Sequence, residues 1–278
     1  MAAALDRQAF FAAVRAKPFA GSLTQSQVNG MVALLDTCPV DLGTDAFAYC
    51  LATAFHETAR TMLPVKEYGG AAYYQRMYDI TGERPAKARE LGNLTPGDGV
   101  LFCGRGYVQL TGRSNYRRAT GELLNRGYLV RGQDLEINPD MAMAPDVAAA
   151  VMYLGMQEGW FTGKKLGDYF RAGLSDPTGA RWIINRQDKA AAIASYFRDF
   201  QGALKAAGHR PGGVAASVPT PPVEAKPLAP PPYRNPGAVA APASPKPVSP
   251  PAAEPSKPGF WASMLARLRG AYPPKKEN

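Results

Sequence analysis

The chain has 278 residues, of which 46% are apolar, 20% charged and 10% aromatic, and this is enough apolar material for one or two globular cores. Its formal net charge is +9, and the positive charge is unevenly distributed. Residues 1–208 carry 23 Lys and Arg against 20 Asp and Glu (net +3), whereas residues 209–278 carry 9 against 3 (net +6). This distribution excludes a uniformly basic nucleic-acid-binding domain and predicts a near-neutral domain with a basic tail.

The first 208 residues are predicted to be mostly helical. Thr24 and Gln27 have the spacing of a capping box, and apolar residues follow at helical intervals through residue 35. Residues 44–58 are alanine-rich and almost wholly apolar, which is typical of a helix buried at the centre of a domain.

The middle of the domain has a different character. Residues 86–120 are interrupted by glycines and contain a short β-prone piece, Tyr107–Leu110, which predicts a loop with a small hairpin. Helices are predicted again at 145–161 and within 177–204. The expected fold is α+β and predominantly α-helical, with a small β-hairpin flanking a cleft.

The tail differs in composition from the domain. Sixteen of the 26 prolines lie between residues 211 and 258, so residues 209–258 are interpreted as a disordered, extended linker. Residues 259–278 are interpreted as a short basic segment in which 259–270 form an amphipathic helix containing Trp261. The predicted organisation is therefore a domain at 1–208, a linker at 209–258 and a basic segment at 259–278.

The sequence predicts neither a disulfide scaffold nor a metal or other cofactor. The cysteines are Cys38, Cys50 and Cys103, which is too few and an odd number for a disulfide-built secreted protein. Two histidines without a CxxC or HExxH pattern predict no zinc site. Charged residues interrupt the N-terminus, so no signal peptide is predicted, and no apolar run is long enough to span a bilayer. We therefore expect synthesis in the cytoplasm.

Glu57 is the strongest candidate for chemistry. It lies at the end of the apolar 44–58 helix, where burial would raise the pKa of its carboxyl toward the range of a general acid. The alternative is a helix-end carboxylate paired with Arg60. The neighbouring His56 is interpreted as a hydrogen-bonded core histidine in preference to a catalytic one.

The second candidate segment is CGRGYVQLTGRSNYRR, residues 103–118. Its glycines allow sharp turns and a close approach of backbone to ligand. Tyr107, Gln109, Thr111 and Asn115 would offer an aromatic platform and neutral hydrogen-bonding groups, which suit a polyhydroxylated ligand such as a sugar. The alternative is a hairpin whose polar residues are merely solvated.

These two segments together resemble the catalytic domain of glycoside hydrolase family 19, which comprises chitinases and lysozyme-type endolysins of bacteriophages. HET at 56–58 and GRGYVQLTGRSNY at 104–116 are the main motifs. LTQSQVNGMVALLD, KEYGG at 66–70, NPD at 138–140 and IIN at 183–185 extend the similarity over about residues 5–205. The resemblance implies a lysozyme-like or chitinase-like fold, and the absence of Cys-rich chitin-binding modules favours the phage-lysin type.

The resemblance also implies roles for individual residues. Glu57 matches the family's general acid, and Gln109, Thr111 and Asn115 match residues that contact sugar or hold the attacking water. Asn185 matches the Asn of a late motif, although Arg186 and Gln187 stand where the family has two glycines. His56, Tyr68 and Tyr107 complete the expected substrate contacts.

The family inverts the anomeric centre, so a second carboxylate must activate water from the opposite face. Glu67 of the KEYGG segment is the expected base, since it follows the catalytic helix and precedes a glycine-rich loop. Glu83 and Glu90 are alternatives, but they lie among Arg84, Lys87 and Arg89 and have the pattern of solvated ion pairs.

The sequence therefore predicts a monomeric peptidoglycan-cleaving glycosidase. Alternatives are a chitinase and a sugar-binding module without catalysis. The basic tail favours the anionic wall over neutral chitin, and it does not indicate a nucleic-acid partner. The terminal segment could bind an anionic envelope or membrane surface, bind a protein partner, or have no function. An enzyme made without a signal peptide would act on the wall after release.

Overall fold

The computed structural model describes residues 5–185 and 187–211, so most of the predicted linker and all of residues 259–278 lie outside the described part. Helices dominate, as the sequence predicts. The α-helices in chain order are α1 (Arg7–Ala16), α2 (Gln25–Thr37), α3 (Thr44–Glu57), α4 (Gly70–Tyr78), α5 (Pro85–Glu90), α6 (Asp98–Leu101), α7 (Arg113–Asn125), α8 (Pro145–Glu158), α9 (Leu166–Tyr169) and α10 (Ala190–Ala206). Short 3₁₀ helices span Pro139–Met143 and Gly179–Ile183.

Two small antiparallel sheets complete the fold. β1 (Val65–Lys66) pairs with β2 (Arg105–Gly106), and β3 (Phe170–Arg171) pairs with β4 (Leu174–Ser175). The backbone groups of Arg105 and Leu110 exchange hydrogen bonds of 3.2 and 2.9 Å, which closes the turn expected around Tyr107. This fold is α+β and predominantly α-helical, so the predicted fold class is confirmed.

Helices α3 and α8 form the centre of the core. The run Ala46–Phe55 in α3 and the run Val147–Met156 in α8 are buried on every face. Both helices are apolar all round, and such helices are stable only when neighbouring elements cover them completely. The alanine-rich composition of both lets α2, α10 and the other helices approach closely.

Helix α10 packs antiparallel along α3. Tyr196, near the start of α10, contacts the ring of Phe55 at the end of α3. His209, just after α10, donates to or accepts from Thr44 Oγ1 at the start of α3. His209 therefore contacts the domain just after residue 208.

The predicted helical stretch 177–204 is interrupted in the structure. A 3₁₀ helix ends at Ile183, a turn follows, and α10 begins only at Ala190, after Lys189 with a positive φ of 59°. The turn lets the Arg181 guanidinium bind the main-chain oxygen of Asp188 at 2.8 Å. A continuous helix could not make this contact, since it would carry the two residues apart along its axis.

Helices α4, α5 and α6 form a lobe beside β1. Asp79, at the end of α4, is fully buried and accepts hydrogen bonds from the backbone of Gly97 and Gly99 at the start of α6. Asn93 donates to the main-chain oxygen of Tyr78 and accepts from the backbone of Arg113. These buried polar contacts fix α4 in place, and α4 in turn contacts the candidate site. Among the described helices, none has the length and apolar character needed to cross a membrane.

Candidate active site

Glu57 ends α3 and is paired with a buried cation. Arg181 Nη1 donates to Glu57 Oε1 at 2.6 Å, and both side chains are almost completely buried. Burial raises the pKa of the Glu57 carboxyl, and the Arg181 charge opposes that rise. The partner suggested by local spacing, Arg60, instead lies over the ring of Phe55.

Glu67 follows β1 directly and is also buried. Tyr78 Oη donates to Glu67 Oε1 at 2.7 Å, and the Gly104 backbone N–H donates to Glu67 Oε2 at 3.1 Å. Burial raises the pKa of this carboxyl, whereas both hydrogen bonds lower it. Glu57 and Glu67 flank the connection formed by residues 58–66, and both side chains are buried.

Gly104 lies at the meeting point of three predicted site residues. A Cβ atom placed on Gly104 would be 2.7 Å from Gln109 Oε1, 3.1 Å from Glu67 Oε2 and 3.2 Å from Thr111 Oγ1. These three oxygens therefore surround one small space over the Gly104 backbone. A side chain at this position would fill that space, so glycine keeps it open.

The polar residues of the 104–116 segment also hold its backbone. Asn115 Nδ2 donates to Thr111 O at 2.7 Å, and Thr111 Oγ1 donates to Gln109 O at 2.8 Å. Gln109 Nε2 donates to Val65 O at 2.9 Å, which ties the segment to β1. Gln109 has a positive φ of 57°, and its buried Oε1 has no hydrogen-bond partner among the described residues. A strained residue with an unpartnered buried acceptor is suited to receive a hydroxyl or a water molecule.

The prediction that Tyr107 offers an aromatic platform to a ligand is wrong. The Tyr107 ring has no exposed surface, and its hydroxyl donates to Met62 O at 3.1 Å inside the core. The residue points inward because the turn between Arg105 and Leu110 directs it toward α8 and the connection after α3. Tyr107 therefore packs in the core beneath the 104–116 segment and cannot stack on a sugar.

The remaining predicted contacts are distributed around the two carboxyls. Tyr68 is 70% exposed beside Glu67, so its ring is available to a ligand. His56 is half-buried beside Glu57, and burial and the Arg181 charge lower its pKa to about 4, so it is neutral at physiological pH. Asn185 lies one turn after Arg181, and the Asn185 backbone N–H donates to the main-chain oxygen of Arg181 at 3.0 Å.

Two residues of the site are absent from the sequence prediction. Arg181 pairs with Glu57 across 124 residues, and the only signal in the sequence is a charge within the apolar run GARWII. Tyr78 belongs to the tyrosine-rich segment YYQRMY of α4, in which nothing indicates which hydroxyl reaches Glu67. Both are identified only once the long-range packing is known.

A separate cavity of about 480 Å³ lies at the other end of α3. Its lining includes residues 41–46, Gln157 and several residues between Leu166 and Leu174. None of the predicted site residues is among them. Within the described ranges, no group of three His, Cys, Asp or Glu side chains is placed to hold a metal ion. The groups described at the site are carboxyl, guanidinium, phenol and amide groups.

Comparisons with known proteins give similarity to solved chitinases. No protein-family model matches the chain, and no curated protein matches it. Chitinase C from Streptomyces griseus is 19% identical over 76% of this chain and 79% of that chain, with a TM-score of 0.44. A bacterial family 19 chitinase is 20% identical over 75% and 89%, with a TM-score of 0.33. At this level of identity, the similarity concerns the fold alone.

Proposed function

We propose that the protein is an inverting glycoside hydrolase that cleaves β-1,4 bonds of bacterial peptidoglycan. The observation that carries the proposal is the pair of buried carboxyls, Glu57 and Glu67, at the two ends of residues 58–66, with burial raising the pKa of each. Two carboxyl groups in different environments are what glycosidic hydrolysis by inversion requires.

Glu57 has the environment of the general acid. Its burial favours the protonated carboxyl, and Arg181 is bound to Oε1, so Oε2 is the atom to carry the transferable proton. When the proton passes to the leaving glycosidic oxygen, Glu57 becomes a carboxylate in a buried site. The Arg181 guanidinium then stabilises that negative charge.

Glu67 has the environment of the general base. The hydrogen bonds from Tyr78 and Gly104 favour its ionised form against the effect of burial. Each carboxylate oxygen has a second acceptor position, so one of them can receive the proton of a water molecule. Gln109 Oε1 and Thr111 Oγ1 share the space over Gly104 with Glu67 Oε2, and in this proposal they orient that water.

Charge supports peptidoglycan over chitin as the substrate. Lys66 is exposed and precedes Glu67 in the chain, and Lys189 is exposed near His56, with Asp188 close to both His56 and Glu57. Peptidoglycan carries carboxylates on its peptide stems, whereas chitin is neutral. The net +6 of residues 209–278 would raise the local concentration of the enzyme at an anionic wall or envelope surface. We further propose that the protein is made in the cytoplasm and reaches the wall after release.

The test is the rate of reducing-end formation from purified peptidoglycan and from chitin oligomers. We expect faster cleavage of peptidoglycan, and mass spectrometry of the products identifies the bond that is cut. Lys66→Gln should slow peptidoglycan cleavage in low salt and leave chitin cleavage unchanged. Lys205→Gln is the matched control, because Lys205 is exposed near the opposite end of α3. Faster cleavage of chitin would assign the protein to chitin instead, and cleavage of neither would contradict a hydrolase.

A further inference from the structure

We propose that Tyr78 is a positioning residue that holds the Glu67 carboxylate in the orientation and charge state needed to activate water. This inference rests on the proposed function, since it assigns a second residue to the base of that reaction. Its physical core is the 2.7 Å hydrogen bond from Tyr78 Oη to Glu67 Oε1.

Helix α4 holds Glu67 at two points. Tyr74 and Tyr78 are four residues apart and so lie on the same face of the helix. The Tyr74 hydroxyl donates to the main-chain oxygen of Glu67, and the Tyr78 hydroxyl donates to its carboxylate. The first contact fixes the backbone of Glu67, and the second fixes the rotation of its side chain.

The Tyr78 ring is itself fixed by its neighbours. Tyr73 meets Tyr78 edge-to-face, with ring centroids 6.3 Å apart at 87°. Asn93 binds the main-chain oxygen of Tyr78 at 2.9 Å, and the buried Asp79 follows it directly. A phenol held this firmly gives the carboxylate a defined direction, leaving its other acceptor positions for water.

The Tyr78 hydroxyl also favours the ionised state of Glu67. Groups facing Glu67 from the packed elements are Tyr73, Tyr74 and Tyr78 on α4, Cys103 before β2, and the neighbouring Lys66. Burial raises the pKa values of the three phenols and of the Cys103 thiol, so all four stay neutral near pH 7. Lys66 is exposed and well solvated. Burial raises the pKa of Glu67, and the hydrogen bonds from Tyr78 and Gly104 are therefore the main interactions that lower it.

Tyr78→Phe removes the donor and keeps the ring. A hydrogen bond to a charged group is strong enough to move a pKa by about one unit. Losing it should raise the pKa of Glu67, so the acidic limb of the kcat/KM profile should move up by about one pH unit. We also expect kcat to fall about tenfold at the optimum with KM nearly unchanged, because the carboxylate is no longer aimed.

Tyr74→Phe is the matched control. It removes a hydroxyl from the same helix face and the same partner residue, but from the main-chain contact of Glu67. We expect it to lower the melting temperature without moving the acidic limb. If Tyr74→Phe and Tyr78→Phe move the limb equally, or Tyr78→Phe leaves both the limb and kcat unchanged, Tyr78 has only a structural role and the proposal is wrong.

An NMR titration of the Glu67 side-chain carboxyl carbon makes the test independent of turnover. Wild type and Tyr78→Phe are titrated, with Glu67→Gln used to assign the signal. A higher Glu67 pKa in Tyr78→Phe supports the proposal even if the wild type cleaves no glycan, which would overturn only the proposed function. Equal pKa values would overturn the proposal while the hydrolase activity stands. If Tyr78→Phe does not fold, a fluorinated tyrosine at position 78 is a stronger donor and should lower the Glu67 pKa.

Discussion

The buried pair of Glu57 and Arg181 determines what the end of α3 can do. A single buried charge is expensive, so each member of the pair depends on the other, and removing one typically costs about 3–5 kcal/mol. In other proteins, replacing such a pair by well-packed apolar residues is often neutral or stabilising. If Glu57 is the general acid, it becomes a carboxylate during the reaction, and Arg181 is present to stabilise that charge.

At the same scale, the choice of base can be tested among three glutamates. Glu67 is buried with two donors, whereas Glu83 and Glu90 are mostly exposed and pair with Arg76 and Lys87 on the surface. We therefore expect Glu67→Gln to lower kcat by at least about a hundredfold, while Glu83→Gln and Glu90→Gln change it little.

The assay for this prediction is the rate of reducing-end release at pH 7. Azide added to Glu67→Ala should restore part of the rate, because a small anion can replace the missing carboxylate. A wild-type rate for Glu67→Gln combined with a collapse for Glu83→Gln would move the base to Glu83.

At the scale of elements, the entry into α4 is a tightly constrained turn near the site. Gly69 has a φ of 149°, and a Cβ atom there would overlap the ring of Tyr73. Gly69→Ala should displace α4 and with it the Tyr78 contact to Glu67, lowering both the melting temperature and kcat.

Gly121→Ala provides the control for that substitution. Gly121 is exposed in α7 with open space around its Cα, so alanine should raise stability by about 0.5–1 kcal/mol. Thermal unfolding and kcat are measured for both variants. A Gly69→Ala protein as stable and active as wild type would show that α4 does not need this turn.

The loop before the Pro139–Met143 helix is tied to α7 by ion pairs that depend on pH. Hydrogen bonds from Arg117 and Arg113 lower the pKa of Glu136 from 4.5 to about 2. A depressed carboxyl pKa contributes stability above the unfolded value of 4.5, and this contribution is lost as pH falls toward about 2. We expect the melting temperature to drop by several degrees between pH 5 and about pH 2, and Glu136→Gln to drop less over the same interval. An equal drop in both proteins would contradict this role.

The sequence predicts elements best where local signals decide them. The Thr24–Gln27 capping box is present at the start of α2, and the apolar runs of α3 and α8 give helices with nearly the expected bounds. The interruption between Ile183 and Ala190 has no local signal, because the Arg181 side chain that binds the main-chain oxygen of Asp188 across it also makes a long-range contact with Glu57. The β1–β2 pairing joins residues about 40 apart and leaves no local pattern. Motifs predict Glu57 and Glu67 as the two carboxyls, and their burial is observed, whereas the inward ring of Tyr107 depends on tertiary packing.

At the scale of the whole molecule, the folded domain should be separable from the tail. A protein ending at Pro211 keeps His209, whose ring contacts Phe47 and Thr44. It should keep the wild-type melting temperature and the wild-type rate on purified peptidoglycan. Ending the chain at Gly208 removes those contacts and should lower the melting temperature by a few degrees.

The same truncation tests the purpose of the basic tail. Residues 212–278 hold most of the excess positive charge, so their loss should reduce activity on permeabilised cells and its dependence on salt. Turbidity loss at two ionic strengths measures this. Unchanged activity and salt dependence on cells would assign the tail no role in binding the wall.

The most direct test of the central claim is the anomeric form of the first product. Nuclear magnetic resonance follows the new reducing ends of a β-1,4-linked glycan in the first minutes after mixing with wild type and with Glu57→Gln. If Glu57 and Glu67 act as acid and base, the α anomer forms first and then equilibrates. Folded Glu57→Gln should bind the glycan but turn over at least about a hundredfold more slowly. A product that first forms as the β anomer, or a Glu57→Gln protein with more than about a tenth of the wild-type rate, would contradict the account.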